Sequence, residues 1–524
     1  MAKPIDAGTG KNSTKNKLDM KLINICLLVC ILLGCTKEKN WPLSEDLSWK
    51  QIYVPVIAGK ATTVGRLEMS LNEENSFNGL ALDLVSGIEI LDISLFRKLE
   101  DQLEKLGSFQ LMDGRWQYEE GIDLPAGEHH FEIAIAVDEG ADIKEKIDLQ
   151  VAYVDLAGEK FKPQAGDSTL SYRLAKSLRN KGDDGVHTYR IPGLATSKVG
   201  TLLAVYDVRR EQGADLQGNI DVGLSRSTDG GQNWEPMKII MDMGEWGGLP
   251  QDQNGIGDPA ILVDDETGTI WVVALWLHGK PGTAAWNSSG PGLKPEETGQ
   301  LMLVKSEDDG KTWSEPINIT TPMKDPSWQL FFNGPGKGIT MKDGTLVFAA
   351  QYKDAEKMPY STIIYSEDRG ESWKVGTGAR SNTTEAQVVE LADGNLMLNM
   401  RDNRGGARSV ALTDDMGKTW TAHPSSRSAL IEPVCMASLI KFNEEVLFFS
   451  NPASTEARQD ITIKTSPDQG NSWPEDMQVL LDQEKSAGYS CLTMIDSDHI
   501  GIIYESSQVH LAFQIIPLDD LIKE

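Results

Sequence analysis

Residues 306–313, Ser-Glu-Asp-Asp-Gly-Lys-Thr-Trp (SEDDGKTW), decide the reading of this chain, because the same frame returns four more times. It recurs as STDGGQNW at 227–234, SEDRGESW at 366–373, TDDMGKTW at 413–420 and SPDQGNSW at 466–473. The shared pattern is Ser/Thr-x-Asp-x-Gly-x-Ser/Thr/Asn-Trp, and successive starts lie 47 to 79 residues apart. That interval suits a four-stranded propeller blade with variable loops. The residue types suit a hairpin turn: Asp and Ser/Thr accept hydrogen bonds from turn amides, Gly supplies φ > 0, and Trp packs at the hairpin base. Catalysis has no use for five equivalent carboxylates, so the repeat is read as structural. It marks blades and leaves the chemistry to other residues.

Upstream of the repeats, RLEMSL (66–71), HHFEIAIAV (129–137) and IDLQVAYV (147–154) alternate apolar and polar positions between Gly and Pro turns. They read as strands of a β-sandwich over 47–155, with a short helix expected around 96–106. The polar, turn-rich GEKFKPQAGDS places a linker at 156–170, after which 171–524 forms the second domain. At the other end, Lys15, Lys17 and Lys21 precede an apolar run at 25–33, too short for the roughly 20 residues of a membrane-spanning helix. This is a signal-peptide pattern over 1–34, with Met1 and Met20 both available as the start. Leu32-Leu33-Gly34-Cys35 resembles a bacterial lipobox. That reading makes Cys35 the lipidated first residue, 35–46 a tether and the outer membrane a partner; ordinary signal cleavage nearby is the alternative.

With Cys26 and Cys30 in the leader, Cys435 and Cys491 remain, both in small apolar runs that favour buried free thiols over a disulfide. No Cys/His spacing suggests a metal site, and no cofactor is expected. A net charge of −28 and a pI near 4.7 argue against nucleic acid or an anionic bilayer as the main partner. An anionic substrate must then be met by clustered cations, since charges beyond about 8 Å are largely screened. The placement of arginines is therefore informative.

Tyr189-Arg190-Ile191-Pro192 precedes the first repeat, followed by VYDVRREQGADLQGNIDVGLSRSTDGG (205–231) with Arg209 and Asp215, and by GIGDPAIL with Asp258. Asp207 and Asp221 rival Asp215. NTTEAQVVEL supplies Glu385, and LMLNMRDNRGG supplies Arg401, with Arg404 and Arg408 as alternatives. Arg458 precedes the fifth repeat, and GYSCLTM and GIIYESS bring Tyr489 and Glu505. In this order the motifs resemble the bacterial exo-sialidases of glycoside hydrolase family 33, over 170 to about 517.

The resemblance implies an all-β, six-bladed β-propeller preceded by a small sandwich module that either binds carbohydrate or acts as a spacer. It implies that Arg190, Arg401 and Arg458 hold a sialic acid carboxylate, that Glu505 braces Arg190, and that Arg209 and Asp258 contact the sugar elsewhere. Guanidinium groups suit this because they grip a carboxylate with planar, charge-assisted bonds that lysine cannot match. The same carboxylate disfavours an anionic nucleophile, which at about 4 Å would meet ~1–4 kcal/mol of repulsion. Sialidases are the recognised departure from two-carboxylate glycosidases in using a tyrosine. Tyr489 takes that role, with Glu385 as its base and Asp215 as the acid. Implied substrates are sialylated glycoproteins, glycolipids or oligosaccharides, cleaved with retention. Transfer to another acceptor, an intramolecular version of it, or a non-catalytic glycan-binding propeller are the alternatives. The insertion at 275–300 is expected to bear on linkage preference, and Trp276 and Trp286 fit either a pocket or a core.

Overall fold

The computed structural model describes residues 43–100, 102–165, 170–277 and 284–523. The leader at 1–34, both candidate starts, Cys35 and most of the tether lie outside the described residues. Five sheets of four to six strands follow one another along the chain. The first runs Thr188–Thr196, Leu202–Arg209, Ile220–Ser227, Lys238–Met241, each strand antiparallel to the next. The first strands of neighbouring sheets pack together: Thr188–Thr196 meets Ile256–Val263 on one side and Ser490–Met494 on the other. This is a propeller-like arrangement. Leu202–Arg209 and Ile220–Ser227 are buried at every position, because sheets stacked face to face leave neither side to solvent.

All five repeats form one turn. The first residue of each repeat (Ser227, Ser306, Ser366, Thr413, Ser466) is the last residue of the third strand of its sheet. In the second repeat, Ser306 Oγ donates to Asp308 Oδ1 at 2.9 Å and accepts the Gly310 N–H at 2.9 Å. Asp308 also accepts the Thr312 N–H and hydroxyl at 2.8 and 2.7 Å. The other four repeat this network. The glycine sits at φ 75° to 95°, where any Cβ would strain the backbone. The structural reading of the repeats holds.

Of the expected six blades, five stand as separate sheets. The remaining strands, Ser490–Met494, His499–Tyr504, Leu511–Pro517 and Tyr172–Arg179, belong to a sixteen-stranded sheet that continues into the N-terminal strands. Lys146–Leu156 pairs with Tyr172–Arg179 at that junction. One apolar cluster likewise runs from Leu47, Leu95 and Phe131 to Tyr206 and Phe513.

Three expectations need correction. The segment assigned to a linker at 156–170 contains the strand Glu159–Ala165, which pairs with both Lys146–Leu156 and Leu43–Gln51. A tight turn at Ala157 and Gly158, with φ of 51° and 90°, makes it a hairpin arm, and Phe161 packs on the core. Residues 43–46, placed in the tether, already belong to Leu43–Gln51. The helix expected around 96–106 is a hairpin of Ile90–Leu99 and Gln102–Ser108. Its leucine spacing suits a helix, but Ile93 and Leu95 face the core as a strand pair, and Arg97 lies opposite Glu104.

Hydrogen bonds from Thr312 hold the Asp308 carboxyl down at about 2, against an ordinary 3.8. A lowered folded value stabilises fully above the ordinary one and is lost as pH falls through about 2. Asp308→Ala should therefore lower the melting temperature by a few degrees at pH 7, and scanning calorimetry should show the deficit shrinking between pH 4 and 2.

Candidate active site

Arg190 stands where the first inner strand breaks register. The ladder with Leu202–Arg209 shifts between Arg190 and Gly193, and Ile191 takes φ 57°. A β-branched residue there is strained, so something must hold it. Glu505 does: Oε1 accepts Arg190 Nε and the Ile191 N–H, both at 2.9 Å. Oε2 accepts Arg190 Nη2 at 3.3 Å and the Tyr489 N–H at 3.0 Å.

The Tyr489 hydroxyl donates to Glu385 Oε1 at 2.5 Å, while Arg401 Nη1 donates to that hydroxyl at 2.9 Å and to Glu385 Oε2 at 2.6 Å. The guanidinium groups of Arg190 and Arg458 lie 5.3 and 5.6 Å from the Tyr489 ring centre. Burial pushes the phenol well above 10 and Glu385 adds to this, with Arg401 pulling the other way. The hydroxyl is therefore neutral at rest. Arg458 is anchored on the carbonyls of Ala487 and Val434 at 3.0 and 3.2 Å.

Asp215 projects from the loop after Leu202–Arg209 with its side chain 78% exposed, 2.8 Å from Arg209 Nη1 and 3.6 Å from Arg190 Nη1. Asp258 sits at a second register break, with φ 56°. Burial, then the nearby Asp207, Glu385 and Asp215, push its carboxyl well above the usual carboxylate range. Arg190, Asp215, Asp258, Glu385, Arg401, Arg458 and Tyr489 line a cavity of about 420 Å³. A larger hollow of about 670 Å³ lies elsewhere, beside Lys342, Lys441 and Glu444. Those charges pair with one another, and none of the residues singled out in the sequence reaches it.

Residues 200–504 match the BNR repeat-like domain. A sialidase of Bacteroides fragilis is 51% identical over 405 residues, covering 76% of this chain and 74% of the relative. The chain belongs to the sialidase family. The Micromonospora viridifaciens sialidase is 33% identical over 63% of this chain, which spans 52% of that relative. Among solved structures, Hadza microbial sialidase Hz136 superposes with a TM-score of 0.81 at 42% identity, over 91% of this chain and all of that one. A Trypanosoma rangeli sialidase shares the fold, with a TM-score of 0.56 at 20% identity, over 66% of this chain and 58% of its own.

In this sialidase the rivals separate cleanly. Asp207 is buried under Arg209, and Asp221 is taken by Arg210 at 2.7 Å, which leaves Asp215 at the cavity. Arg408 is buried against Glu432 at 2.8 Å and Arg404 pairs with Asp402 at 3.0 Å, so Arg401 is the arginine that meets Tyr489. Arg209 lies just below the cavity surface. It does not line the cavity: at 1% exposure its guanidinium lies beneath Asp215, drawn down by Asp207 two residues earlier on the same strand face. Trp286 lines the cavity, whereas Trp276 is fully buried and bonds Asn254. The sequence reading missed Gln351, Thr384 and Asn403, and an apolar wall of Leu216, Leu275, Leu277, Leu330 and Phe332. No motif marks them, because they are ordinary strand residues brought together by the packing of blades. Cys435 and Cys491 are buried free thiols. Among the described residues no three His, Cys, Asp or Glu side chains are placed to hold a metal ion.

Arg401→Ala, which strands Glu385 and Tyr489, should lower kcat/KM on a fluorogenic sialoside by about 10²-fold or more. Arg404→Ala should stay within about twofold of the wild type in the same assay, since its contacts lie outside the cavity.

Proposed function

We propose that this chain is an exo-α-sialidase that hydrolyses terminal sialic acid from glycoconjugates with retention, through a covalent sialyl-tyrosine. The observation that carries this reading is the Tyr489 hydroxyl, in contact with Glu385 at 2.5 Å and Arg401 at 2.9 Å and flanked by two further guanidinium groups. Arg190, Arg401 and Arg458 hold the sugar carboxylate, which sets the anomeric carbon over the phenol. Glu385 takes the Tyr489 proton as the C–O bond forms, since a phenol this far above neutrality cannot attack unaided. Asp215 donates a proton to the departing glycan oxygen, then removes one from the water that displaces Tyr489. Two displacements at one carbon give retention. Asp258 contacts the sugar from the adjoining inner strand.

The same reading extends to architecture. Ser490–Met494, His499–Tyr504, Leu511–Pro517 and Tyr172–Arg179 pair in that order as a sixth blade. Its third strand lacks the repeat turn because its fourth strand comes from the other end of the domain, which closes the ring. The strands before Tyr172–Arg179 form an accessory β-sandwich module. The leader pattern at 1–34, with Cys35 as lipid anchor and the residues from there up to the strand Leu43–Gln51 as tether, supports export and attachment to the outer membrane.

Tyr489→Phe should cut turnover of sialyl-lactose at least ~10³-fold while circular dichroism and the melting temperature stay near wild type. Proton NMR of the wild-type reaction should show the α-anomer released first. Undiminished hydrolysis by the variant, or first release of the β-anomer, overturns the mechanism; a product joined to another acceptor identifies transfer instead.

A further inference from the structure

One buried ion pair has no part in the mechanism above. Asp207 and Arg209, both 1% exposed, sit two residues apart on Leu202–Arg209. Charges are costly to bury unless every partner is in place, and here each is. Asp207 Oδ2 accepts Arg209 Nε at 3.1 Å and Nη2 at 2.9 Å, while Oδ1 accepts the Asp258 N–H at 2.8 Å. The remaining nitrogen, Arg209 Nη1, reaches out of the pair to the Gly213 carbonyl at 2.7 Å and to Asp215 at 2.8 Å. Gly257 permits the close approach of Asp207, since a Cβ there would lie 2.9 Å from Oδ1.

We propose that Asp207 is a positioning residue for the general acid: it fixes Arg209 beneath Asp215, offsets the charge of Arg209, and pins the bulge that turns Asp258 into the cavity. The proposal rests on the reading of Asp215 as the acid. The loop carrying Asp215 is tied to the body of the protein through Arg209, and Arg209 through Asp207. A guanidinium at 2.8 Å with no counter-ion favours a carboxylate over the carboxylic acid that must give up a proton. Paired with Asp207, Arg209 keeps its direction toward Asp215 while much of its charge is neutralised. The charged groups around Asp215 are Arg190 and Arg209 in contact, with Asp207 and Asp258 behind them. Glu385 acts on Asp258 from the facing blade, and on the loop itself Glu211 follows Arg210, which is taken by Asp221.

Asp207→Asn keeps the size and the acceptor for Asp258 but removes the charge. With sialyl-lactose, a poor leaving group, kcat should fall by about 10²-fold with KM within about threefold. With 4-nitrophenyl sialoside, whose phenolate departs almost unprotonated, the loss should be under about fivefold. The alkaline limb of the sialyl-lactose pH profile should move to lower pH by about one unit. Equal loss on both substrates, or an unmoved limb, overturns the proposal. Asp215→Ala tests the underlying reading separately: equal loss on both substrates there refutes the acid, whatever Asp207→Asn does. If Asp207→Asn does not fold, Asp207→Asn with Arg209→Gln strands no charge. It should show the same leaving-group selectivity without the shift to lower pH, and equal loss on both substrates overturns the proposal.

Discussion

Glu505 joins parts of the chain more than 300 residues apart, and the site depends on that joint. Its carboxylate takes the Arg190 side chain, the strained Ile191 amide and the Tyr489 amide, while its own N–H returns to the Tyr489 carbonyl at 2.9 Å. The residue is 2% exposed, so these bonds form without competition from water. Removing one partner of such a buried pair typically costs ~3–5 kcal/mol, because the charge left behind is unpaired. The consequence here is geometric as well. The arginine at the start of the propeller and the tyrosine at its end are placed by the same two oxygens.

A second device recurs around the axis. The first strands of three sheets break register where a site residue stands: between Arg190 and Gly193, between Gly257 and Ala260, and between Thr383 and Ala386, around Glu385. A regular strand would send alternate side chains into the two neighbouring blades. A bulge turns one of them along the axis instead, toward the mouth of the cavity. Ile191 and Asp258 hold left-handed backbone conformations to achieve this, and in both cases a buried carboxylate takes the amide, Glu505 for Ile191 and Asp207 for Asp258. Strain in the backbone is thus held by the same acids that set the charges.

These devices also explain what the sequence could reveal. The five turns were legible because every bond in them is local, spanning four residues or fewer. The arginines, Tyr489, Glu385 and Glu505 were legible through motif order, and the structure separates Arg401 from Arg404 by a contact with Tyr489 that no spacing encodes. The burial of Arg209 was not legible, because it depends on Asp207 and on the neighbouring strand bearing Asp258. The hairpin taken for a helix failed for the opposite reason. Leucine spacing at 96–106 is a local signal, and it lost to the ladder that Gly127–Val137 offers to Ile90–Leu99. The apolar wall had no local signal at all.

The charge arrangement resolves an apparent conflict in the composition. A chain with 78 acidic and 50 basic residues offers no general attraction for an anion. Within the cavity, however, Arg190, Arg401 and Arg458 converge on one phenol; among the described residues Arg190 pairs with Glu505 and Asp215 and Arg401 with Glu385, while Arg458 has no carboxylate partner. Arg458 rests on backbone carbonyls, so its full charge remains for a ligand. The acids are not surplus either. In the proposed mechanism Glu385 accepts the proton of Tyr489, and Arg401 sets a positive charge against both it and the phenol. A carboxylate nucleophile in place of Tyr489 would add a further negative charge at the point where the substrate brings its own. In the proposed mechanism the neutral phenol keeps that charge absent until Glu385 takes the proton and the new bond forms.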